Sequence, residues 1–306
     1  MPKSIRLTNV DYIITSDNKT IDLNNIGIAS LHPLAADGHS STASIMIVAG
    51  GSTQTSYQLK SFADSSYKYQ STLHTQHEGA QGASNGTELM IIGYHYSSYY
   101  DKSSKMQIAE GSTTSDWGNA GVSGSNRACA SNPDYCMASG GQNPNAITHT
   151  HLKTFSSNAA AVRRNDLASG KANQSAASNG DIMLVAGLGV YDKVTFADTG
   201  TSAVSYGSLS HNHTGMGATS NGDYMLTCGY GIQASCEKKS FDSNANTSVA
   251  PFSMVNAGSQ ISATSNGEEV MTIGAQNEKK LWSDDSNFFQ WGDLFYSHSN
   301  GAEGSA

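Results

Sequence analysis

Gly217-Ala218-Thr219-Ser220-Asn221-Gly222-Asp223-Tyr224-Met225-Leu226-Thr227-Cys228-Gly229 reads as a strand of small residues, a tight turn and a second, apolar strand. Asn-Gly between two extended runs is the strongest short-range hairpin signal. The same text recurs along the chain. Ser84-Asn85-Gly86 precedes Met90, Ser131-Asn132-Pro133 precedes Met137, Ser178-Asn179-Gly180 precedes Met183, and Ser265-Asn266-Gly267 precedes Met271. A weaker copy holds Met46 and Gly50-Gly51. From Met46 to Met271 is 225 residues in five intervals, a period of 45. A repeat of that length, with several short strands in each copy, indicates a β-propeller.

Each copy reads as four strands, a to d. The hairpin supplies a and b. Strand c ends at an aromatic or aliphatic residue: Ile14, Phe62, Ile108, Phe155, Phe196, Phe241 and Trp282. Strand d is marked by Leu23, Tyr69, Trp117, Arg164, Tyr206, Phe252 and Trp291. Strands c and d thus occur seven times, and complete a–b turns six times. The expectation is a single all-β domain over residues 1–306, a seven-bladed propeller of about 45-residue, four-stranded repeats. Its last blade would take strand a from Ala302–Ala306 and strands b to d from the N-terminus, with Lys3–Leu7 as b and Asp11–Thr15 as c. Joining the ends in this way would leave no open sheet edge. The alternative is six blades with a spare N-terminal hairpin.

Composition excludes several classes of function. Polarity comes from Ser, Thr, Asn and 31 Gly, and only 14% of residues are charged. Net charge is -8 and the four arginines (Arg6, Arg127, Arg163, Arg164) form no basic stripe, which argues against nucleic acid. No apolar run approaches the roughly 20 residues of a membrane span, and Met1–Leu7 lacks a signal-peptide core, so synthesis in a cytoplasm is expected.

The repeat resembles kelch-type propellers at Val48-Ala49-Gly50-Gly51 and Ala138-Ser139-Gly140-Gly141. It is also similar to repeat proteins of tailed phages, marine ones included, in Phe196-Ala197-Asp198-Thr199-Gly200, Tyr206-Gly207-Ser208-Leu209 and Ala218-Thr219-Ser220-Asn221-Gly222, with Trp291-Gly292-Asp293-Leu294 repeating the middle element. That resemblance implies a non-enzymatic virion structural protein, tail- or fibre-associated. It would be present in several copies, contacting other virion proteins and a host-surface glycan or protein, and would have no cofactor. A cellular kelch-like adaptor or lectin is the second reading, and a glycan-active propeller enzyme the third. The sequence carries no sialidase-type Asp box, no nucleophile elbow and no His-Glu-x-x-His motif.

Three groups of residues are candidates for chemistry. His32, His74, His211 and His298 each follow strand d, with His77 and His213 a few residues on. A ring of imidazoles at the channel mouth would suit a transition metal or a titration near neutral pH. Tyr94, Tyr96, Tyr99, Tyr100, Tyr191 and Tyr230, with His95, fall in the expected b–c loops, where exposed tyrosines would suit a sugar or protein surface. His149-Thr150-His151 alternates along a strand, so both rings would face one side. Cys129 and Cys136, and Cys228 and Cys236, each flank one hairpin; either cross-strand disulfides or buried thiols fit that spacing.

Overall fold

The computed structural model describes most of residues 78–291, interrupted by short loops, and separate strand segments between residues 12 and 72. All of its regular structure is β. β1 (Tyr12–Ile14) pairs with β2 (Thr20–Asp22). β3 (Ser41–Thr42), β4 (Ile45–Ala49), β5 (Ser56–Ser61) and β6 (Tyr67–Thr72) form an antiparallel sheet in sequence order. β7 (Glu78–Ser84), β8 (Glu88–Tyr94), β9 (Lys102–Gln107) and β10 (Ser115–Asn119) form the next. Then come β11 (Ala128–Ser131), β12 (Tyr135–Ser139), β13 (Gln142–Asn143), β14 (Asn145–Thr154) and β15 (Val162–Lys171). These five make one sheet, in which β14 pairs with β12, β13 and β15.

Four-stranded order resumes with β16 (Ser175–Ser178), β17 (Ile182–Gly187), β18 (Val190–Thr195) and β19 (Val204–Ser208). It continues with β20 (Gly217–Ser220), β21 (Tyr224–Tyr230), β22 (Gln233–Ser240) and β23 (Ser248–Ser253). The last sheet is β24 (Ser262–Ser265), β25 (Glu269–Ile273), β26 (Asn277–Leu281) and β27 (Phe289–Gln290).

The propeller expectation holds, but the expected seven blades do not: five blades have four strands each. Between the second and third of them the chain builds the five-stranded sheet. The count of seven credited every c–d pair with a complete blade. β1 and β2 occupy the expected c and d positions of the end-joined blade, yet they pair only with each other among the described residues. Lys3–Leu7 and Ala302–Ala306, assigned to complete that blade, lie outside the described residues.

The first strands of successive sheets lie side by side: β7 by β11, β11 by β16, β16 by β20, and β20 by β24. Every residue of β11, β16, β20 and β24 is buried. Their sequences, Ala-Cys-Ala-Ser, Ser-Ala-Ala-Ser, Gly-Ala-Thr-Ser and Ser-Ala-Thr-Ser, are small because backbones converge there. At Gly217 an added Cβ would come within 2.8 Å of the Ala263 nitrogen in the next blade. The second strands are larger and carry fully buried Met90, Met137, Met183, Met225 and Met271 between the sheets.

The Ser-Asn-Gly text supports both the turn and the packing. Each Asn side chain closes its own turn: Asn221 Oδ1 accepts from the Asp223 and Tyr224 amides at 3.1 and 3.0 Å. Asn85, Asn132, Asn179 and Asn266 repeat the arrangement. Such side-chain turns explain why Asn leads at this position. Gly222 follows at φ 94°, a conformation that L side chains resist. The serine reaches outward. Ser131 Oγ donates to the Ser84 carbonyl (2.5 Å), Ser178 Oγ to that of Ser131 (2.5 Å), and Ser220 Oγ to that of Ser178 (2.7 Å). Ser178 and Ser220 also accept from the glycine amide of their own turn. Pro133 has no amide hydrogen to offer Ser131 in this way.

The strand-d aromatics fasten one sheet to the next. Trp117 lies between Lys105 of its own sheet (5.2 Å to the ring) and Lys153 of the next (4.8 Å). Tyr206 lies between Lys193 (4.8 Å) and Lys239 of the next (4.7 Å). Lys280 stands 3.9 Å over Phe252 of the preceding blade. These lysines also donate to carbonyls of the loop after their own third strand: Lys153 to Ala159, Lys239 to Ser243 and Ala245, and Lys280 to Asp284. Stacking on a ring and donating to carbonyls together compensate for an ammonium taken out of water. Gly118 after Trp117 and Gly207 after Tyr206 let that loop come close. The Trp117-Gly118 and Tyr206-Gly207 pairs are thus part of a blade-to-blade fastening in this fold.

Candidate functional site

A propeller strand order sends the turns after strands a and c to one end, and the loops after b and d to the other. At the second end, a repeated carboxylate governs the loop leaving strand d. Asp192, Glu237 and Glu278 sit at equivalent third-strand positions, opposite Val185, Thr227 and Thr272. All three are buried. Asp192 Oδ2 accepts from the Ala168 amide of the preceding sheet at 3.1 Å. Glu237 accepts from the Ser210 amide (2.9 Å), the Ser210 hydroxyl (2.7 Å) and the His211 amide (3.2 Å). Glu278 accepts from the Val255 amide at 2.8 Å. Each carboxylate holds backbone amides of the preceding sheet, in β15 for Asp192 and just after strand d for Glu237 and Glu278.

In the five-stranded sheet this position, opposite Ala138, is His151. Its ring packs where a side chain on Gly121 would have to stand. The buried Arg127 guanidinium lies 3.1 Å from His151 Nδ1 and also donates to the Ala120 and Ala138 carbonyls. An arginine can only donate, so Nδ1 accepts and the ring proton sits on Nε2. Burial comes first, and then the Arg127, His149 and Arg163 charges, in holding His151 at about 3, well below the usual imidazole value; Asp166 opposes them. The His149 and His151 rings share one side of β14, with centroids 6.1 Å apart. Arg163 makes a two-pronged pair with Asp166 at 2.8 Å.

A pH dependence follows. The unfolded imidazole protonates near pH 6.5 and the folded one only near 3, so the unfolded state binds the extra proton between these values. His151 therefore leaves stability intact above about pH 6.5 and erodes it as pH falls toward 3, by up to about 1.4 kcal/mol per pH unit. Urea unfolding at pH 7 and pH 4.5 should show a smaller loss for His151→Gln than for the unaltered chain. Equal losses would rule the imidazole out as the group responsible.

Next to this sheet lies a buried ion pair. Lys171 Nζ is 3.6 Å from Asp192 Oδ2, with both side chains shielded from solvent. Lys171 also donates to the Gly187 carbonyl (3.3 Å). Burial pushes Lys171 down and Asp192 up, and the attraction between them opposes both shifts.

The sequence candidates are dispersed by the structure. Of the histidine ring, His211 alone is described; its Nδ1 lies 2.9 Å from Ser210 Oγ and 3.3 Å from Glu237 Oε1. His32, His74, His77, His213 and His298 lie outside the described residues, as do Tyr96, Tyr99, Tyr100 and His95. Tyr94 and Tyr230 end β8 and β21. Tyr191 is not a displayed loop residue. It is fully buried in β18, with its hydroxyl 3.4 Å from Thr227 Oγ1. The reason is local: Leu188 and Gly189, at φ 52° and 77°, join β17 to β18 in two residues, so no loop remains to carry it. Cys228 and Cys236 face each other across β21 and β22 and form a disulfide. Cys129 and Cys136 are free, buried thiols; burial, and then the neighbouring Cys129, raise Cys136 well above the usual thiol range. No group of three or more metal-ligating side chains occurs among the described residues.

At the opposite end of the propeller, an open hollow of about 450 Å³ lies between the blades β20–β23 and β24–β27. Asn221, Gly267, Glu268, Leu281, Trp282 and Ser283 line it. Sequence reasoning missed this hollow, because Trp282 matched the core residues Phe155, Phe196 and Phe241 in register. Those three are 2%, 5% and 1% exposed, whereas Trp282 is only partly buried. Its Nε1 donates to Ser265 Oγ at 2.7 Å, which fixes the plane of the indole. Beside it, Leu281 is 45% exposed.

Among the described residues no helix is long and apolar enough to cross a membrane. No protein-family model matches the chain, and no curated protein matches it.

Proposed function

We propose that the chain is a non-catalytic propeller of a tailed-phage virion, associated with the tail or its fibres, that binds a host-surface glycan or protein while docked on other virion proteins. The observation that carries the non-catalytic part is where the buried charges go. Asp192, Glu237, Glu278, Lys153, Lys239 and Lys280 each hold a loop in place or fasten neighbouring sheets. They are spread over four sheets and, among the described residues, do not converge on one cleft as acid–base or nucleophilic chemistry requires. The virion part is supported by the repeat's resemblance to tailed-phage units, which coincides with the aromatic-Gly fastening.

Mass spectrometry of purified particles from the source of this sequence tests the reading. Peptides of the chain should be present at several copies per particle. Their absence from intact virions, with the chain found only in the infected-cell lysate, would overturn it.

A further inference from the structure

We infer that the hollow between Asn221 and Trp282 is a binding site for a neutral saccharide. The inference rests on the host-surface binding proposed above and gives that binding a place and a ligand class. Its apolar lining residues are the partly buried Trp282 and the exposed Leu281. The ring is held through Nε1, so its contribution to the lining costs little rotamer entropy on binding. A saccharide presents just such a mixture, with C–H patches for an indole face and hydroxyls for a polar rim.

The polar lining residues supply both halves of a hydroxyl's hydrogen bonding. Asn221 uses its Oδ1 for its own turn, which leaves the amide N–H groups to donate. The exposed Glu268 carboxylate accepts, and the Ser283 hydroxyl does either. Glu268 is the only ionisable residue in the lining. A carboxylate there favours sugar hydroxyls and repels acidic sugars such as sialic acid. The volume of about 450 Å³ falls within the usual range of small-ligand sites, about 300–1,000 Å³. The site also differs from its counterparts. In three other sheets the residues matching Trp282 are the buried phenylalanines Phe155, Phe196 and Phe241, so no equivalent indole is offered there.

The test uses the full chain on an array of neutral hexose and N-acetylhexosamine oligosaccharides with their sialylated counterparts. The expected result is retention on at least one neutral glycan and weaker retention on its sialylated form. Ser283→Arg, which fills the hollow from an exposed turn, and Trp282→Phe should each weaken binding at least tenfold. Ser283→Arg should leave the unfolding midpoint unchanged, which separates lost binding from lost folding. No retention on any neutral glycan, or a preference for the sialylated forms, would overturn the inference. Binding that survives Ser283→Arg would overturn this site while leaving a glycan-binding role intact. Absence of the chain from virions would overturn the role without touching the glycan result.

Discussion

Asp192→Ala should lower stability by about 3–5 kcal/mol, the usual cost of removing one partner from a buried ion pair. Two losses combine. Lys171 would be left shielded from solvent with the Gly187 carbonyl at 3.3 Å and no carboxylate, and the Ala168 amide of the preceding sheet would lose its acceptor. Asp192→Asn keeps an acceptor for Ala168 and should fall between the two. Lys171→Met combined with Asp192→Leu should recover much of the loss, because an apolar pair of similar volume avoids desolvating charge altogether. For a domain of this size, 4 kcal/mol corresponds to a drop of roughly 10 °C in unfolding midpoint, readable by calorimetry. A loss under about 1 kcal/mol for Asp192→Ala would mean that the pair does not secure the junction between these sheets.

Gly207→Val should cost as much by a different route. Gly207 sits at φ 90°, and an added Cβ would stand 2.7 Å from both the Asn244 and Ala245 carbonyls and 2.9 Å from Lys239 Nζ. A β-branched residue meets backbone strain and a clash with backbone atoms that cannot rotate away, together about 3–5 kcal/mol. The Lys239 clasp over Tyr206 would be pried open at the same place. Val204→Thr, at a side chain 65% exposed on the same strand, should be nearly silent in the same calorimetric measurement. If both variants unfold at the same temperature as the unaltered chain, the aromatic-Gly element is not what joins these blades.

Much of the fold was legible because its signals are local. An Asn whose own side chain closes the turn, followed by Gly at positive φ, marks each a–b hairpin regardless of what surrounds it. The number of blades was not legible in the same way. Strands c and d carry only one marker residue each, and nothing local says whether such a pair gains two partners, as β9 and β10 do, or, among the described residues, none, as with β1 and β2. Tyr191 went astray because its neighbours in register were assumed to sit in loops of equal length, and Leu188-Gly189 closes that hairpin in two residues. The loop-end carboxylates were invisible for a related reason. Asp192, Glu237 and Glu278 share a position only once strand register is known, and the substitution of His151 at that position stands out only against them. In Trp282, the sequence showed an aromatic in the right register; partial exposure depends on how the adjoining blade covers it.

The serine hydroxyls give the molecule a direction. In every link described, the donor belongs to the later segment and the carbonyl to the one before it. A growing chain therefore always has its acceptor already in place when the next donor leaves the ribosome. The direction of these links matches the order of translation, so each newly made unit can settle on a finished surface instead of waiting for a partner still to be synthesised.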